Sequence, residues 1–263
     1  MRIWFQKHIT VGKVPALDAG YEKHARQLLR PDTEIVFHGV QKEAYEGSFP
    51  NQIVNYSYPE TMFGNYFLSR IIEAEKTGYD AFIIGTAPDP GLRDAKSLVD
   101  IPVVGYSEAS MHIASMLGTR FSYVGFVDMQ DRHVDNAGIY GLRERLGPWG
   151  RVPVPAAVVQ NALEGRPGPF LDAFYIAARE VIASGSNVII PMEGLTNEIL
   201  YHQGIHGVDG VPIVDSNGVV FKMAEMLVDL RKISGMMVTR KGYYHARPPA
   251  EMVERLTRLY GSK

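Results

Sequence analysis

The 263-residue chain contains no cysteine. This absence excludes disulfide bonds, thiolate metal ligands and thiol nucleophiles. Acidic and basic residues nearly balance, giving a formal net charge of −2 at pH 7, which argues against a nucleic-acid partner. No apolar run approaches the roughly twenty residues that cross a bilayer, and the first residues do not resemble a signal peptide. We therefore expect a cytoplasmic protein with a small-molecule ligand and with no membrane or nucleic-acid partner.

Short β-branched and aromatic runs alternate with longer amphipathic runs, as they do in βαβ units. Strands are predicted at 2–6, 34–38, 81–85, 103–105, 122–127, 152–154, 188–190 and 212–214. Helices are predicted at 16–29, 59–76, 107–117, 132–146, 168–183, 196–201, 216–233 and 250–260. The runs at 82–84 and 188–190 are apolar throughout, which is typical of parallel strands covered by helices on both faces. The pattern predicts an α/β fold.

Two segments of the chain, 78–117 and 187–227, are similar to one another. They align without a gap from the proline-containing strand onward, with Pro102 over Pro212 and Met116 over Met226. Such a duplication predicts two similar half-domains that face each other. In each copy an apolar strand ends in a short polar tip, and open α/β sheets bind ligands beyond the carboxyl ends of their strands. We therefore expect both tips at one cleft.

The predicted domain organisation follows from this duplication. The first lobe is assigned to 1–118 together with a crossing helix at 208–235, the second lobe to 119–207, and a tail to 236–263. The Pro- and Gly-rich stretch at 147–155 is the best candidate for a lobe junction.

The run Asp-Pro-Gly-Leu at 89–92, followed by the segments 101–109 and 111–118, resembles the Asp/Glu/hydantoin racemase superfamily, and hydantoin racemases most closely. The likeness continues more weakly from Arg2 to about Tyr244. It implies two pseudo-symmetric, Rossmann-like α/β lobes with mainly parallel sheets, an active site between them, no cofactor, no metal and a homo-oligomer. In that family one cysteine from each lobe faces the substrate. One thiol removes the proton from Cα, and the other returns a proton on the opposite face.

Carried over by position, the first family cysteine falls on Thr86 and the second on Met192, which Glu193 follows. An alcohol is far too weak an acid to act as a free base near neutral pH, and methionine has no exchangeable proton. The chemistry of two thiols is therefore unavailable here.

Glu193 is the best candidate to replace part of that chemistry, because burial raises the pKa of a carboxyl into the range useful for an acid or base. The alternative is a structural role at the N-terminus of the following helix. Thr86 is predicted to hydrogen-bond a substrate carboxylate or oxyanion together with backbone N–H groups. Its alternative is a turn or N-cap hydroxyl.

The segment after the first strand departs from the family pattern. In hydantoin racemases this segment resembles Asn-Pro-Asn-Thr, whereas this chain has Gln-Lys-His-Ile-Thr at 6–10. Gln6 is predicted to hold polar groups of the substrate, and His8 adds a side chain that titrates near neutral pH.

Further substrate-binding candidates lie in the strand tips, the following turn and the tail: Ala87, Asp89, Ser107, Met192, Gly194 and Tyr244. Asp89 has the alternative of ordering its own turn, and Ser107 that of capping a helix. Tyr244 has the alternative of packing in an oligomer. His202 and His206 have a spacing seen in metal ligands, but two glycines interrupt that helix, and no metal is predicted.

The leading functional hypothesis is a cofactor-independent enzyme that acts on a small carboxylate, cyclic amide or related carbonyl compound. Glu193 would serve as acid or base, and Thr86 would stabilise an enolate or oxyanion. A hydrolase or lyase is slightly favoured, because racemisation needs a proton-transfer group on each face of the substrate. The alternatives are a racemase or isomerase that uses Glu193 and His8, and a non-catalytic protein that binds a small molecule.

Overall fold

The structure, a computed structural model, describes residues 1–260 of the chain, with the side chains of residues 51 and 52 left aside. The strands are β1 Arg2–Gln6, β2 Glu34–His38, β3 Ala81–Ile84, β4 Val103–Gly105, β5 Phe121–Gly125, β6 Gly150–Arg151, β7 Val188–Pro191, β8 Gly207–Val208 and β9 Val211–Pro212. The helices are α1 Pro15–Leu28, α2 Asn51–Val54, α3 Ser57–Lys76, α4 Leu92–Leu98, α5 Tyr106–Leu117, α6 Gln130–Ile139, α7 Ala156–Leu163, α8 Gly168–Ala183, α9 Gly194–His202, α10 Ser216–Ser234 and α11 Ala250–Tyr260. Single 3₁₀ turns occur at Lys42–Ala44 and Arg143–Arg145.

The strands form two parallel sheets and one short antiparallel ribbon. The first sheet has the order β2-β1-β3-β4, the second has the order β6-β5-β7, and β8 pairs with β9. Within each parallel sheet, all carboxyl ends lie at one edge. The predicted α/β fold with mainly parallel sheets is confirmed.

The two similar segments occupy corresponding places in the two sheets. In the first, β3 pairs with β4 in parallel, with Phe82 opposite Val103. In the second, Ile189 of β7 forms a parallel bridge to Ile213, just after β9. The helix that follows each strand then crosses over, since α5 packs against β7 and α10 packs against β3 and β4. The helices α5 and α10 also pack against each other.

One hydrophobic core joins the two sheets. It includes Ile83 from β3, Ile189 from β7 and Phe221 from α10, each fully buried. Burying a side chain of this size contributes roughly 1.5–3 kcal/mol to folding. The sheets are therefore held together by apolar burial. The predicted limits of the two lobes remain a prediction, and the last three residues of the predicted tail, 261–263, lie outside the described residues.

Several predicted elements differ from those observed, mainly at glycine and proline. The helix predicted at 132–146 ends at Ile139, because Gly141 adopts a φ of +74° that a helix cannot continue. The strand predicted at 152–154 lies at 150–151 instead, since Pro153 has no N–H for a strand ladder. The helices α4 and α7 had no predicted counterpart. Within residues 1–260, no helix is long and apolar enough to cross a bilayer.

Candidate active site

The carboxyl ends of four strands meet around one cavity of about 60 Å³. Its wall includes two residues that follow each of these strands. They are Lys7 and His8 after β1, Thr86 and Ala87 after β3, Phe126 and Val127 after β5, and Glu193 and Gly194 after β7. Five of the predicted site residues therefore lie together, namely His8, Thr86, Ala87, Glu193 and Gly194. Both duplicated strand tips contribute to this cavity.

Glu193 is buried and its carboxylate is held in a defined position. One oxygen, Oε1, accepts hydrogen bonds from the backbone N–H groups of Phe126 at 2.9 Å and Val127 at 2.7 Å. The other, Oε2, accepts from the Thr196 hydroxyl at 2.7 Å. Burial raises the pKa of Glu193 to about 7, although these hydrogen bonds favour the ionised form. The carboxyl therefore exists in both protonation states near neutral pH, as an acid–base group requires.

The neighbouring strand leaves room for this carboxylate only because β5 ends in glycine. A β carbon on Gly125 would lie 2.5 Å from Glu193 Oε2 and 2.4 Å from the Met192 β carbon. The side chain of Glu193 does not cap α9; it reaches across to the N–H groups after β5 instead. The alternative of a helix-capping carboxylate is thus not what the structure shows.

The N-terminus of α9 faces the cavity. Gly194 and Leu195 open this helix and line the cavity wall. Backbone N–H groups in the first turn of a helix have no partner within the helix and carry partial positive charge. They are suited to hold an oxyanion or enolate oxygen.

Thr86 and His8 form a hydrogen-bonded pair on the other strand tip. The Thr86 hydroxyl lies 2.9 Å from His8 Nδ1. The imidazole packs against Phe63 with a ring-centroid distance of 4.5 Å, and burial lowers the pKa of His8 to about 3. The ring is therefore neutral, with one nitrogen as donor and the other as acceptor. His8 Nε2 has no hydrogen-bond partner among residues 1–260.

Lys7 and Tyr21 also line the cavity and were not predicted from the sequence. The Lys7 ammonium forms a buried ion pair with Asp18 of α1. Burial lowers the pKa of Lys7, although the hydrogen bond and charge of Asp18 oppose this. The helical period of α1 places Tyr21 near Asp18 on the face turned to the first sheet, but only the tertiary fold brings that face to the strand tips.

Five predicted residues lie away from the cavity wall. The alternation of side chains along an extended segment explains two of them. The Gln6 side chain accepts from Trp4 Nε1 at 3.1 Å and donates to the Lys7 carbonyl at 3.2 Å, on the face opposite Lys7. Met192 is buried on the side of Tyr123, so Glu193 rather than Met192 faces the cavity.

Asp89 and Ser107 hold the turn after β3 rather than line the cavity. The Asp89 carboxylate accepts from the backbone N–H groups of Ser107 at 3.1 Å and Glu108 at 2.8 Å, which caps α5. The Ser107 hydroxyl donates to the Ala87 carbonyl at 2.5 Å. The two alternatives from the sequence are thus not what the structure shows, because Asp89 bonds the next helix rather than its own turn and the Ser107 hydroxyl does not cap α5. Tyr244 is half exposed, and Arg93 lies 4.1 Å above its ring.

A buried polar network lies behind the cavity and joins α1, α9 and α10. His24 contacts Glu198 Oε1 at 2.8 Å through Nδ1 and Asp215 Oδ2 at 3.0 Å through Nε2. Burial alone would lower the pKa of His24, but the two carboxylates outweigh it and raise the pKa to about 9. His202, considered above as a metal ligand, contacts Glu198 Oε2 at 3.1 Å.

A larger groove of about 740 Å³ adjoins the cavity. Val54 and Met129 line both spaces, so the groove and the cavity share part of their wall. The groove carries the acidic residues Glu60, Asp94, Asp128, Asp131 and Asp135.

The structure is an α/β protein with a candidate active site where the carboxyl ends of its two parallel sheets meet. The family model for Asp/Glu/hydantoin racemases matches residues 22–224. The chain therefore belongs to the Asp/Glu/hydantoin racemase family, and this agrees with a small-molecule substrate.

The individual proteins to which this chain is similar include several that are named racemases. A hydantoin racemase from Pseudomonas sp. (strain NS671) is 28% identical, over 86% of each chain. The allantoin racemase from Klebsiella pneumoniae has a similar structure, with a TM-score of 0.71 at 24% identity over 94% of each chain. A glutamate racemase from Bacillus anthracis has a TM-score of 0.61 at 15% identity, over 89% of this chain and 83% of that one.

These relatives correct the order of the functional hypotheses. The sequence favoured a hydrolase or lyase slightly over a racemase, and the comparisons do not support that preference. They fit the racemase or isomerase alternative better.

Proposed function

We propose that the protein racemises a 5-substituted hydantoin or a related cyclic ureide such as allantoin, by moving the proton at the asymmetric ring carbon. The observation that carries the proposal is the meeting of two proton-transfer groups at one cavity. Glu193 comes from the tip of one sheet, and the hydrogen-bonded Thr86–His8 pair comes from the tip of the other. The substrate class is taken from the names of the relatives.

In the form that starts the reaction Glu193 is protonated and His8 is neutral, and burial favours this uncharged state of both groups. The Thr86 oxygen takes the proton from the ring carbon while the hydroxyl proton of Thr86 passes to His8 Nδ1. The electron pair left on carbon is delocalised onto the adjacent carbonyl as an enolate. Its oxygen is placed near the N–H groups of Gly194 and Leu195.

Glu193 then delivers its proton to the opposite face of the ring carbon. This leaves Glu193 ionised and His8 protonated, so the two groups have exchanged one proton between them. Burial opposes both of these charges, so this second form is the less stable of the two. The other enantiomer reacts from it in the reverse direction. Neither thiol of the family mechanism is needed, because a carboxyl replaces one and a hydroxyl assisted by an imidazole replaces the other.

The test uses both enantiomers of several 5-substituted hydantoins and of allantoin. Circular dichroism follows racemisation, and NMR in D₂O follows incorporation of solvent deuterium at the ring carbon. The Glu193→Gln variant keeps the shape of the side chain but cannot carry the proton. Its rate is expected to fall by about 100-fold or more, the usual contribution of a general acid or base. Glu180→Gln, on the exposed face of α8, is the matched control.

The outcomes separate the surviving hypotheses. Full activity in Glu193→Gln would overturn the assignment of Glu193. Substrate binding without deuterium incorporation by the wild type would instead identify a non-catalytic binding protein.

A further inference from the structure

Thr196 is a buried residue of α9 that contacts Glu193 on the side away from the cavity. It is the third residue of the helix and follows Glu193 by three positions, a spacing that brings two side chains together. Its hydroxyl donates to Glu193 Oε2 at 2.7 Å, the only hydrogen bond of this hydroxyl within residues 1–260. Thr196 is fully buried and does not belong to the cavity wall. Any effect of Thr196 on the substrate therefore passes through Glu193.

The two oxygens of the Glu193 carboxyl differ in what they can still bind. Each carboxylate oxygen offers about two lone-pair sites. Oε1 uses both for the backbone N–H groups of Phe126 and Val127. Within residues 1–260, Oε2 accepts a hydrogen bond from one neighbouring residue only, Thr196. The proton that Glu193 gains and loses therefore belongs on Oε2.

We infer that Thr196 is a positioning residue: it holds Oε2 as the oxygen that exchanges the proton with the substrate, and it stabilises the carboxylate as that proton leaves. A hydrogen bond to an ionised acceptor is stronger than one to a neutral acceptor. The contact therefore strengthens while Glu193 delivers its proton to the ring carbon, which lowers the barrier rather than improving substrate binding. The inference rests on the proposed function and deepens it, because it names the reacting oxygen and the side chain that holds it.

No neighbouring charge replaces this hydrogen bond. Four titratable side chains from adjacent elements lie near the carboxyl, namely Lys7 and His8 after β1, Tyr21 of α1 and Tyr106 of α5. The lysine is paired with Asp18, burial lowers the pKa of the histidine to about 3, and burial raises the pKa of each tyrosine well above its usual value. Of the carboxylates close in the chain, Asp128 is exposed and Glu198 is bound to His24. Burial and hydrogen bonds therefore determine the pKa of Glu193.

The first measurement titrates Glu193 directly and does not depend on catalysis. In protein labelled with ¹³C at the side-chain carboxyl of glutamate, the Glu193 signal is the one that Glu193→Gln lacks. Thr196→Val keeps the shape of the side chain and removes its hydroxyl, which is expected to raise the titration midpoint by about one pH unit. Thr196→Ala removes the same hydroxyl with a residue that favours a helix and is expected to give the same shift. Thr196→Ser keeps the hydroxyl and should titrate like the wild type, as should the control Thr77→Val at the exposed end of α3.

The second measurement follows the rate on a hydantoin that the wild type racemises. At pH 6, below both midpoints, kcat and kcat/KM of Thr196→Val are expected to fall equally, by about 10-fold, as for an interaction made in the transition state. The fall of kcat/KM above pH 7 should move upward together with the midpoint of Glu193. In the Glu193→Gln background, Thr196→Val is expected to cause no further loss, because its effect requires the carboxylate.

An unchanged Glu193 midpoint in folded Thr196→Val or Thr196→Ala would overturn the inference. An equal loss of rate from Thr196→Val with and without Glu193 would overturn it as well, since Thr196 would then act by another route. If the wild type is active and only the midpoint fails to move, the proposed function stands without this role for Thr196. If the midpoint moves but the wild type racemises none of the hydantoins, the proposed function fails, and the role of Oε2 in that reaction fails with it.

Discussion

Two residues at the cavity, Glu193 and His8, have pKa values shifted in opposite directions by the same cause. Burial disfavours the charged form of each, which raises the pKa of Glu193 to about 7 and lowers the pKa of His8 to about 3. Between these values the two side chains hold a single proton. Sharing one proton is what a racemase needs from two groups that exchange the roles of acid and base.

This sharing predicts the pH dependence of racemisation. The free enzyme is active while the pair holds its proton, so kcat/KM is expected to fall about tenfold per pH unit above roughly pH 7. Both enantiomers meet enzyme forms with the same number of protons, so their profiles should fall in parallel. Initial rates for each enantiomer from pH 5 to 10, with separate titration of the substrate, provide the measurement. A profile that rises through pH 8, or profiles that differ between enantiomers, would contradict the shared proton.

The sequence placed Glu193, the proposed acid–base residue, at the cavity, but it misplaced several of the proposed substrate contacts. A carboxylate after an apolar strand is a recognisable signal, and Glu193 lies where it was expected. The choice between two adjacent residues, Met192 and Glu193, depends on how the backbone turns as it leaves the strand, which residue types do not reveal. Gln6 was misplaced for the same reason. Tyr21 gave no signal, because a tyrosine on an amphipathic helix is ordinarily a core residue.

At the scale of secondary-structure elements, His24 links three helices through charge. Its ring lies between the carboxylate of Glu198 in α9 and that of Asp215, which caps α10, while the residue itself belongs to α1. Removing one partner from a buried charged network leaves the others uncompensated. In the same network the amide nitrogen of Asn217 donates to Glu198 and to the carbonyl of Gly194 at the cavity wall, so the stability of these helices and the geometry of the cavity are coupled.

His24 predicts how stability changes with pH. The folded state holds the proton of His24 up to about pH 9, whereas the unfolded chain releases it near pH 6.5. The stabilisation is therefore complete below pH 6.5 and is lost as the pH rises through 9, by about 3 kcal/mol. Urea unfolding at pH 6.5 and at pH 9 measures the difference. The loss of unfolding free energy between these two pH values should be smaller in His24→Gln and unchanged in His112→Gln, an exposed control. An equal loss in the wild type and both variants would exclude His24 as the cause.

At the scale of the whole molecule, the two sheets form one structural unit. The shared core of β3, β7 and α10 covers one face of each sheet, and each sheet also packs a separate buried cluster against its other face. The duplication visible in the sequence predicted two similar halves around a cleft. The helix at 208–235 was assigned to the first lobe as a crossing helix, but the matching crossing of α5 to the second sheet was not predicted, because which sheet a helix covers depends on long-range packing that the repeat itself does not encode.

The shared core predicts that both halves unfold in one transition. The chain offers two reporters, since its only two tryptophans are Trp4 in β1 and Trp149 just before β6. Single-tryptophan variants, Trp149→Phe and Trp4→Phe, report the first and second sheet respectively. Their fluorescence midpoints in urea are expected to coincide with the midpoint that circular dichroism gives for the same variant. Two separate midpoints within one variant would show that the sheets unfold independently.

The crossing of α5 and α10 also bears on how such a chain arises. Each repeat supplies strands to one sheet and a covering helix to the other, so a single repeat on its own would leave one face of its sheet uncovered. A half-length ancestor with this arrangement would be complete only as a pair of chains that exchange helices about a twofold axis. The cavity would lie on that axis, with identical strand tips on both sides. Gene fusion then frees the two tips to diverge, and here one carries a carboxyl and the other a hydroxyl beside an imidazole.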